Sequence, residues 1–190
     1  MTQSVYVIGG AGTGKSTFME QLLDRLGHPM GPLVDLASRP NARGVKITLR
    51  GHWLGLDGLY IGCMRESFPG TDGLDRASSI AGEEWLETGV LPSFVIAEGN
   101  TMATRRFIGA LHKHTNLLLV HLEADDFVKE LRFLQRGSNQ HEQFVRQTAT
   151  RAGNLLADME KDGVETISLD TSDPQLWDRA LQACWIHLKR

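Results

Sequence analysis

The chain has little cysteine, no long apolar run and no large excess of charge of one sign. Its two cysteines, Cys63 and Cys184, stand too far apart to form a four-cysteine metal site, and nothing marks a secreted chain, so we expect both thiols to be reduced. A formal net charge of −3 excludes a broadly basic surface that would bind nucleic acid without specificity. No apolar stretch approaches the roughly 18 residues that a membrane-spanning helix needs.

The N-terminal segment also lacks the basic region that opens a secretory signal peptide, since Met1-Thr2-Gln3 runs directly into an apolar, strand-like stretch. We therefore expect a cytoplasmic protein with no membrane partner. With 190 residues, 41% of them hydrophobic and 23% charged, the chain is typical of one globular domain over residues 1–190.

Short apolar runs alternate with amphipathic segments along most of the chain. Runs typical of buried parallel strands lie at 4–8, 93–97, 117–122 and 166–169. Segments with the helical apolar period lie at 15–26, 102–112, 126–134, 142–159 and 174–188. This alternation predicts an α/β fold, a three-layer sandwich in which helices cover both faces of a parallel sheet.

The stretch between Gly31 and Gly73 departs from this alternation because it is rich in glycine and proline. We predict an irregular insertion at about 31–75 that binds the substrate, with a hairpin indicated by the alternating pattern at 45–50. A solvated loop is the alternative interpretation. Three aromatic residues of the insertion either stack on a base or pack a small core of their own. They are Trp53, Tyr60 and Phe68.

The clearest motif is a glycine-rich loop between the first predicted strand and the first predicted helix. Residues 9–16 match the pattern of a phosphate-binding loop, which is a glycine, four variable residues, a second glycine, a lysine, and a serine or threonine. Glycines let successive N–H groups turn inward, and the N-terminus of the following helix adds its positive dipole end. We expect Lys15 to reach the β- and γ-phosphates of ATP and the Ser16 hydroxyl to bind Mg²⁺. The expected nucleotide-binding residues are Gly9, Gly10, Ala11, Gly12, Thr13, Gly14, Lys15, Ser16 and Thr17.

Kinases, GTPases and larger ATPases share such a loop, so other features must separate them. The sequence has no Asn-Lys-x-Asp motif for reading guanine, and 190 residues leave little room for the additional elements of a remodelling ATPase. A small phosphotransferase is therefore the favoured function. A binding module that hydrolyses its nucleotide slowly and signals by its bound state is the alternative from another class.

Charge is unevenly distributed along the chain. Residues 101–151 carry a net charge of +3, whereas 1–100 and 152–190 each carry −3. Because local positive charge favours an anionic ligand, we expect 101–151 to hold it. Within this segment, Arg132 and Arg136 stand four residues apart, which places them on one helix face.

Three carboxylates are candidates for handling a hydroxyl acceptor, which must be oriented or deprotonated during phosphoryl transfer. Asp72 lies in a glycine-flanked loop before a helix, where it either meets the acceptor or caps that helix. Glu98 ends a buried strand at the edge where α/β proteins bind ligands. We expect it to orient the acceptor or to hold Mg²⁺ through water, and the alternative is an ion pair with Arg105 or Arg106. Asp35 ends a further strand-like stretch, with an ordinary turn residue as the alternative.

The chain resembles the nucleoside monophosphate kinase group of P-loop NTPases in three features. They are the phosphate loop with its strand and helix, the basic segment, and the terminal strand and helix. The resemblance implies a lid at about 132–146 that closes over ATP and Mg²⁺. It also implies that Asp35 stands where related kinases keep their base. The arginines in and beside the lid would then bind the nucleotide, the transferring phosphate or the acceptor, because bidentate guanidinium groups match phosphoryl oxygens. The alternative is that these arginines lie on a solvated helix face. They are Arg132, Arg136, Arg146 and Arg151.

Three shorter stretches are similar to bacteriophage-encoded P-loop kinases. They are Phe68-Pro69-Gly70-Thr71-Asp72-Gly73-Leu74, Ile96-Ala97-Glu98-Gly99-Asn100, and Arg136-Gly137 with a glutamine downstream. Some kinases of that group are assigned to DNA modification and phosphorylate 5-hydroxymethyluracil. The resemblance implies a DNA acceptor bound near Thr71 and Asp72, and action in the host cytoplasm. A kinase of a free nucleoside monophosphate or another small molecule is the alternative.

Overall fold

The computed structural model describes residues 1–27, 30–35, 43–48, 57–62, 70–75, 77–137 and 140–190, with the backbone alone for 30–35 and 43–48. These residues form one sheet and the helices that cover it. The strands are β1 (Gln3–Gly9), β2 (Met30–Asp35), β3 (Arg43–Thr48), β4 (Asp57–Ile61), β5 (Phe94–Glu98), β6 (Asn116–Glu123) and β7 (Glu165–Asp170). The helices are α1 (Lys15–Leu26), α2 (Ser78–Thr88), α3 (Arg105–His114), α4 (Asp126–Gln135), α5 (Glu142–Lys161) and α6 (Pro174–Leu188).

The strand order across the sheet is β2-β3-β4-β5-β1-β6-β7. The strands β4, β5, β1, β6 and β7 pair in parallel, and Val7 and Ile8 of the central β1 register against Glu98 of β5 and His121 of β6. The predicted α/β fold with a parallel sheet is therefore confirmed. Because parallel strands end at the same edge, the ends of β1, β5 and β6 lie side by side.

The segment expected to be an irregular insertion contributes regular strands. β2 and β3 form an antiparallel hairpin, β3 pairs antiparallel with β4, and β4 is itself a parallel strand beside β5. The predicted hairpin is confirmed. The expectation of irregular structure is wrong for the strand residues, because strand pairing overrides a composition rich in glycine. Gly58 of β4 shows why a glycine suits a strand here, since a Cβ at this position would lie 1.9 Å from the Phe94 ring.

The sequence predicts a helix after Asp72 but not its bounds, because small and acidic residues interrupt the apolar period of α2. Gly82 faces the next helix, and a Cβ there would lie 2.6 Å from Met102 Cε and 2.7 Å from Phe107 Cε2. The missing side chain lets these two residues pack directly on α2. Tertiary packing thus stabilises a helix whose own amphipathic pattern is weak.

Two apolar layers cover the sheet and complete the three-layer sandwich. Side chains of α1 and α6, such as Phe18 and Leu181, fill one layer, and those of α2, α3 and α5, such as Phe107, fill the other. Cys184 in the first layer is a buried free thiol, as its isolation predicts, whereas Cys63 lies outside the described residues. None of the helices in the described ranges is long and apolar enough to cross a membrane.

Candidate active site

The glycine-rich loop connects the end of β1 to the start of α1 at the carboxyl edge of the sheet. Gly12 and Gly14 have φ values of +80° and +91°, which L side chains rarely adopt, so glycine is needed to turn the loop at both positions. A Cβ at Gly12 would also lie 2.8 Å from Cζ of Phe133, which shows that α4 lies directly over the loop. The loop therefore has the strand, turn and helix context that a phosphate-binding motif requires.

Lys15 begins α1, is buried, and folds back over the loop. Its Nζ donates to the carbonyl oxygens of Gly9 at 3.0 Å and Gly10 at 2.8 Å. Burial lowers the pKa of the ammonium group, and the negative charges of Glu98 and Asp72 oppose that shift. A cation placed between the loop carbonyls and two carboxylates is suited to neutralise phosphate charge at the loop.

Glu98 ends β5 next to β1 and is only 1% exposed. The Ser16 hydroxyl donates to its Oε1 at 3.2 Å. Burial raises the pKa of this carboxyl to about 7, and the positive charge of Lys15 works in the opposite direction. A titratable group with so perturbed a pKa beside a phosphate loop is typical of a functional site.

The alternative interpretation of Glu98, an ion pair with an arginine of α3, is wrong. Arg105 pairs with Asp162 at 3.3 Å, and Arg106 pairs with Glu83 at 2.6 Å. The two arginines are thus used to fasten α3 to its neighbours, and Glu98 faces Ser16 instead.

A serine hydroxyl beside a buried carboxylate offers the oxygen ligands that Mg²⁺ prefers. Among the described residues, no group of three or more His, Cys, Asp and Glu side chains is placed to hold a metal ion by itself. Protein-bound Mg²⁺ commonly combines one or two protein ligands with substrate phosphates and water. Ser16 and Glu98 therefore fit a magnesium ion that binds together with a nucleotide.

Asp72 lies in a single helical turn, Thr71–Gly73, and fastens this turn to the chain that follows β5. Its Oδ1 accepts hydrogen bonds from the N–H groups of Asn100 at 2.6 Å and Thr101 at 2.9 Å, and from the Thr101 hydroxyl at 3.2 Å. The residue that caps α2 is Ala77, so the interpretation of Asp72 as a cap of that helix is wrong. Because three donors occupy Oδ1, contact with an acceptor would fall to Oδ2.

Two glycines bring the Asp72 turn against the end of β5. Gly70 has a φ of +67°, and a Cβ there would lie 2.7 Å from Oε1 of Glu98. Gly99 has a φ of +117°, and a Cβ there would lie 2.6 Å from Oγ1 of Thr71 and 3.1 Å from Cγ of Asp72. The structure therefore brings together two of the three carboxylates that the sequence singles out.

The third carboxylate lies elsewhere in the sheet. Asp35 ends β2, and three strands, β3, β4 and β5, separate β2 from β1. At roughly 4.8 Å per strand, the backbone of Asp35 is about 19 Å from the strand that leads into the phosphate loop. Its role as an acceptor-binding residue stays a prediction.

Arg132 and Arg136 of the predicted lid occupy different positions at the end of α4. Arg132 Nη1 donates to the carbonyl oxygen of Gly12 at 3.1 Å and to Oγ1 of Thr171 at 2.8 Å, and Nη2 donates to the Thr171 carbonyl at 3.3 Å. Arg132 thus links the phosphate loop to the turn after β7. Arg136 is exposed, and its charge helps to lower the pKa of Lys15. Its predicted contact with a phosphate stays a prediction.

Arg146 and Arg151 lie on the exposed side of α5, away from the core. Arg146 forms an ion pair with Glu142 one turn earlier. Both arginines border a polar concavity of about 760 Å³, whose lining residues are Glu142, Gln143, Arg146, Gln147, Thr150, Arg151 and Asn154. Their predicted contact with the acceptor stays a prediction.

Thr148 is a contact of the phosphate loop that the sequence does not reveal. Its Oγ1 accepts a hydrogen bond from the N–H of Ala11 at 3.0 Å, and Ala149 beside it lies against Gly10. A threonine within an amphipathic helix carries no motif, so only the fold brings it to the loop. Through this bond α5 is fastened to the phosphate loop.

Some predicted features fall on residues that the structure does not describe. Trp53 and Phe68 of the insertion lie outside the described residues, as do Ser138 and Asn139 of the predicted lid. Tyr60 is 1% exposed and belongs to the core, so its interpretation as a base-stacking residue is wrong.

Comparison with known proteins shows which family the sequence matches and which solved structures are similar. Residues 1–175 match the family model described as P-loop Nucleotide Kinase3, and no curated protein matches the chain. A solved structure of a sugar kinase from Janibacter sp. HTCC2649, without ligand, is similar at 20% identity, with 99% of this chain and 96% of that chain covered and a TM-score of 0.46. Shikimate kinase from Acinetobacter baumannii, in complex with shikimate, is similar at 14% identity, with 98% and 93% covered and a TM-score of 0.47. At these identities and scores, the substrates of those two proteins do not identify the acceptor of this chain.

Proposed function

Because the chain belongs to the P-loop Nucleotide Kinase3 family and is a kinase-type phosphotransferase, we propose that it moves the γ-phosphate of ATP to the hydroxyl of 5-hydroxymethyluracil in DNA. The observation that carries this proposal is the grouping of Lys15, Ser16, Glu98 and Asp72 around one loop. The group combines a cation for phosphate oxygens, a metal-binding pair, and a second carboxylate beside it.

Each of these side chains has a separate task in the proposed mechanism. Lys15 leaves the loop carbonyls to bind the β- and γ-phosphates, and Ser16 and Glu98 would hold Mg²⁺. When bound, the ion neutralises charge on the phosphates. Asp72 accepts the proton of the acceptor hydroxyl through Oδ2 as the new oxygen–phosphorus bond forms, the bond to the β-phosphate breaks, and ADP leaves. Arg136 adds charge on the α4 side of the loop.

The choice of a DNA acceptor is supported by two observations. The turn at Thr71–Gly73, part of the stretch that resembles phage-encoded kinases, lies against the end of β5, where an acceptor would reach a phosphate held by the loop. Arg151 on the exposed face of α5 adds positive charge that favours a polyanion, whereas Arg146 is already paired with Glu142. Such an enzyme would act in the cytoplasm of a phage-infected host.

The test is transfer of label from γ-³²P-ATP with Mg²⁺ to a panel of acceptors. The panel contains DNA with 5-hydroxymethyluracil, the same DNA with thymine, nucleoside monophosphates, and no acceptor. We expect label on the modified DNA alone, and loss of transfer in Lys15→Ala with unchanged circular dichroism. Label on a monophosphate would identify a free-nucleotide kinase, and phosphate release to water alone would indicate the slowly hydrolysing module; either result refutes the DNA acceptor.

A further inference from the structure

Tyr6, which has no part in the mechanism above, connects the central strand to both segments that carry the site carboxylates. It lies in the middle of β1 and is fully buried. Its hydroxyl oxygen is 3.2 Å from Oγ1 of Thr71 and 3.2 Å from the carbonyl oxygen of Gly99. Its ring meets Phe107 edge-on, with 6.3 Å between the ring centroids. The ring is thus fixed by the core, and the hydroxyl is fixed at the site.

The chemistry of the two partners determines the direction of these hydrogen bonds. A carbonyl oxygen can only accept, so Tyr6 donates its proton to Gly99 and its oxygen accepts a bond from the Thr71 hydroxyl. The resulting chain, from Thr71 through Tyr6 to Gly99, uses each proton once. Burial raises the pKa of the Tyr6 phenol, so Tyr6 keeps the proton that this arrangement needs.

The hydrogen-bonded chain ends one residue away from each carboxylate. Thr71 directly precedes Asp72, and Gly99 directly follows Glu98. The chain therefore fixes the backbone of the Asp72 turn relative to the end of β5. The hydrogen bonds that Asp72 Oδ1 accepts from Asn100 and Thr101 also join the Asp72 turn to the chain after β5. Two independent sets of bonds therefore hold these two segments together.

We propose that Tyr6 and Thr71 are positioning residues that hold Asp72 at a fixed distance from Glu98 for phosphoryl transfer. This inference rests on the proposed function, because it takes Asp72 as the residue that handles the acceptor. A misplacement of about 1 Å can reduce the rate of an enzyme about a hundredfold. Loss of the Tyr6 hydroxyl should therefore lower kcat without changing ATP binding, which depends on the loop at the end of β1.

The test is Tyr6→Phe, which removes the hydroxyl and keeps the ring contact with Phe107. We expect kcat for transfer to DNA with 5-hydroxymethyluracil to fall between about ten- and a hundredfold, while KM for ATP changes less than about twofold. Amide exchange of Asn100 and Thr101 should also become faster. Ser4→Ala is the control, because Ser4 is a buried hydroxyl residue of the same strand whose side chain bonds Thr115 instead of the site, and it should leave all three measurements unchanged.

If Tyr6→Phe does not fold, a second pair of variants tests the hydrogen bond between the Thr71 and Tyr6 hydroxyls by changing Thr71 instead. Thr71→Ser keeps the hydroxyl and should retain most of kcat, whereas Thr71→Val removes it and should reproduce the effect of Tyr6→Phe. Equal kcat in these two variants overturns the proposal, as does unchanged amide exchange at Asn100 and Thr101 in Tyr6→Phe.

Failure of the proposed function has a different signature. In that case the wild-type protein itself places no label on the modified DNA. The comparison is then made on the rate of ATP hydrolysis, where water is the acceptor, and on amide exchange, which requires no acceptor. An unchanged hydrolysis rate in Tyr6→Phe together with faster exchange overturns the positioning role.

Discussion

Replacing Glu98 by glutamine should stabilise the nucleotide-free protein at alkaline pH while it inactivates the kinase. Burial raises the pKa of Glu98 from 4.5 to about 7, so the folded protein binds this proton more tightly than the unfolded chain does. The stabilising contribution of the proton is fully present below pH 4.5 and is lost as the pH rises through 7. Above that pH the folded protein carries a buried charge that glutamine would not carry.

The size of the effect follows from the shift in pKa. At 1.36 kcal/mol per pKa unit, holding the charge costs about 3 kcal/mol of unfolding free energy at pH 8 and less than about 1 kcal/mol at pH 5. Glutamine has nearly the shape of glutamate and is neutral at both values. Glu98→Gln should therefore be about 3 kcal/mol more stable than the wild type at pH 8, with little difference at pH 5.

Urea unfolding in buffer without Mg²⁺ or nucleotide, at pH 5 and pH 8, measures this difference. Glu130→Gln on the exposed side of α4 is the matched control and should change stability by less than about 0.5 kcal/mol at either pH. A Glu98→Gln protein that is less stable than the wild type at pH 8, or whose advantage does not depend on pH, would refute the reasoning. Retained kinase activity in the same variant would refute the metal-binding role.

Two further substitutions test contacts of the phosphate loop. Gly12→Ala forces a side chain into a φ of +80° and places its Cβ 2.8 Å from the Phe133 ring. The affinity for ATP, measured by calorimetry, should therefore fall at least about tenfold. Unchanged affinity would contradict the close approach of α4 to the loop. Thr148→Val leaves the N–H of Ala11 without its acceptor and should cost about 1–2 kcal/mol in urea unfolding. Thr150→Val on the exposed face of the same helix is its control, and an equal loss there would show that the bond contributes nothing.

The phosphate loop and its surroundings were predictable because the responsible signals are local. The glycine spacing dictates the left-handed turns at Gly12 and Gly14, and the motif then fixes the positions of Lys15 and Ser16. Glu98 was predictable for a related reason, since a residue at the end of a buried parallel strand must reach the carboxyl edge.

The contacts between distant segments were not predictable, because they depend on which residues the folded sheet brings together. Thr148 bonds a residue 137 positions away, and nothing in its own helix indicates that partner. Arg132 has the spacing of a phosphate-binding arginine, and in this structure it bonds Gly12 and Thr171, because a guanidinium group can donate to backbone carbonyls as well as to phosphates. The alternating pattern at 45–50 indicates the hairpin of β3, but nothing in the sequence indicates that β4 pairs in parallel with β5.

The position of β1 in the sheet makes the two sides of the phosphate loop unequal. Four strands, β5, β4, β3 and β2, extend from β1 on the side of the Asp72 turn, and two, β6 and β7, extend on the other side. The strands on the longer side span about 19 Å along the carboxyl edge, with Asp35 at the end of the outermost strand. Successive nucleotides of one strand of duplex DNA rise about 3.4 Å, so this span equals several consecutive nucleotides rather than one. If the acceptor is DNA, as proposed above, we expect its contacts beyond the target nucleotide on this side of β1.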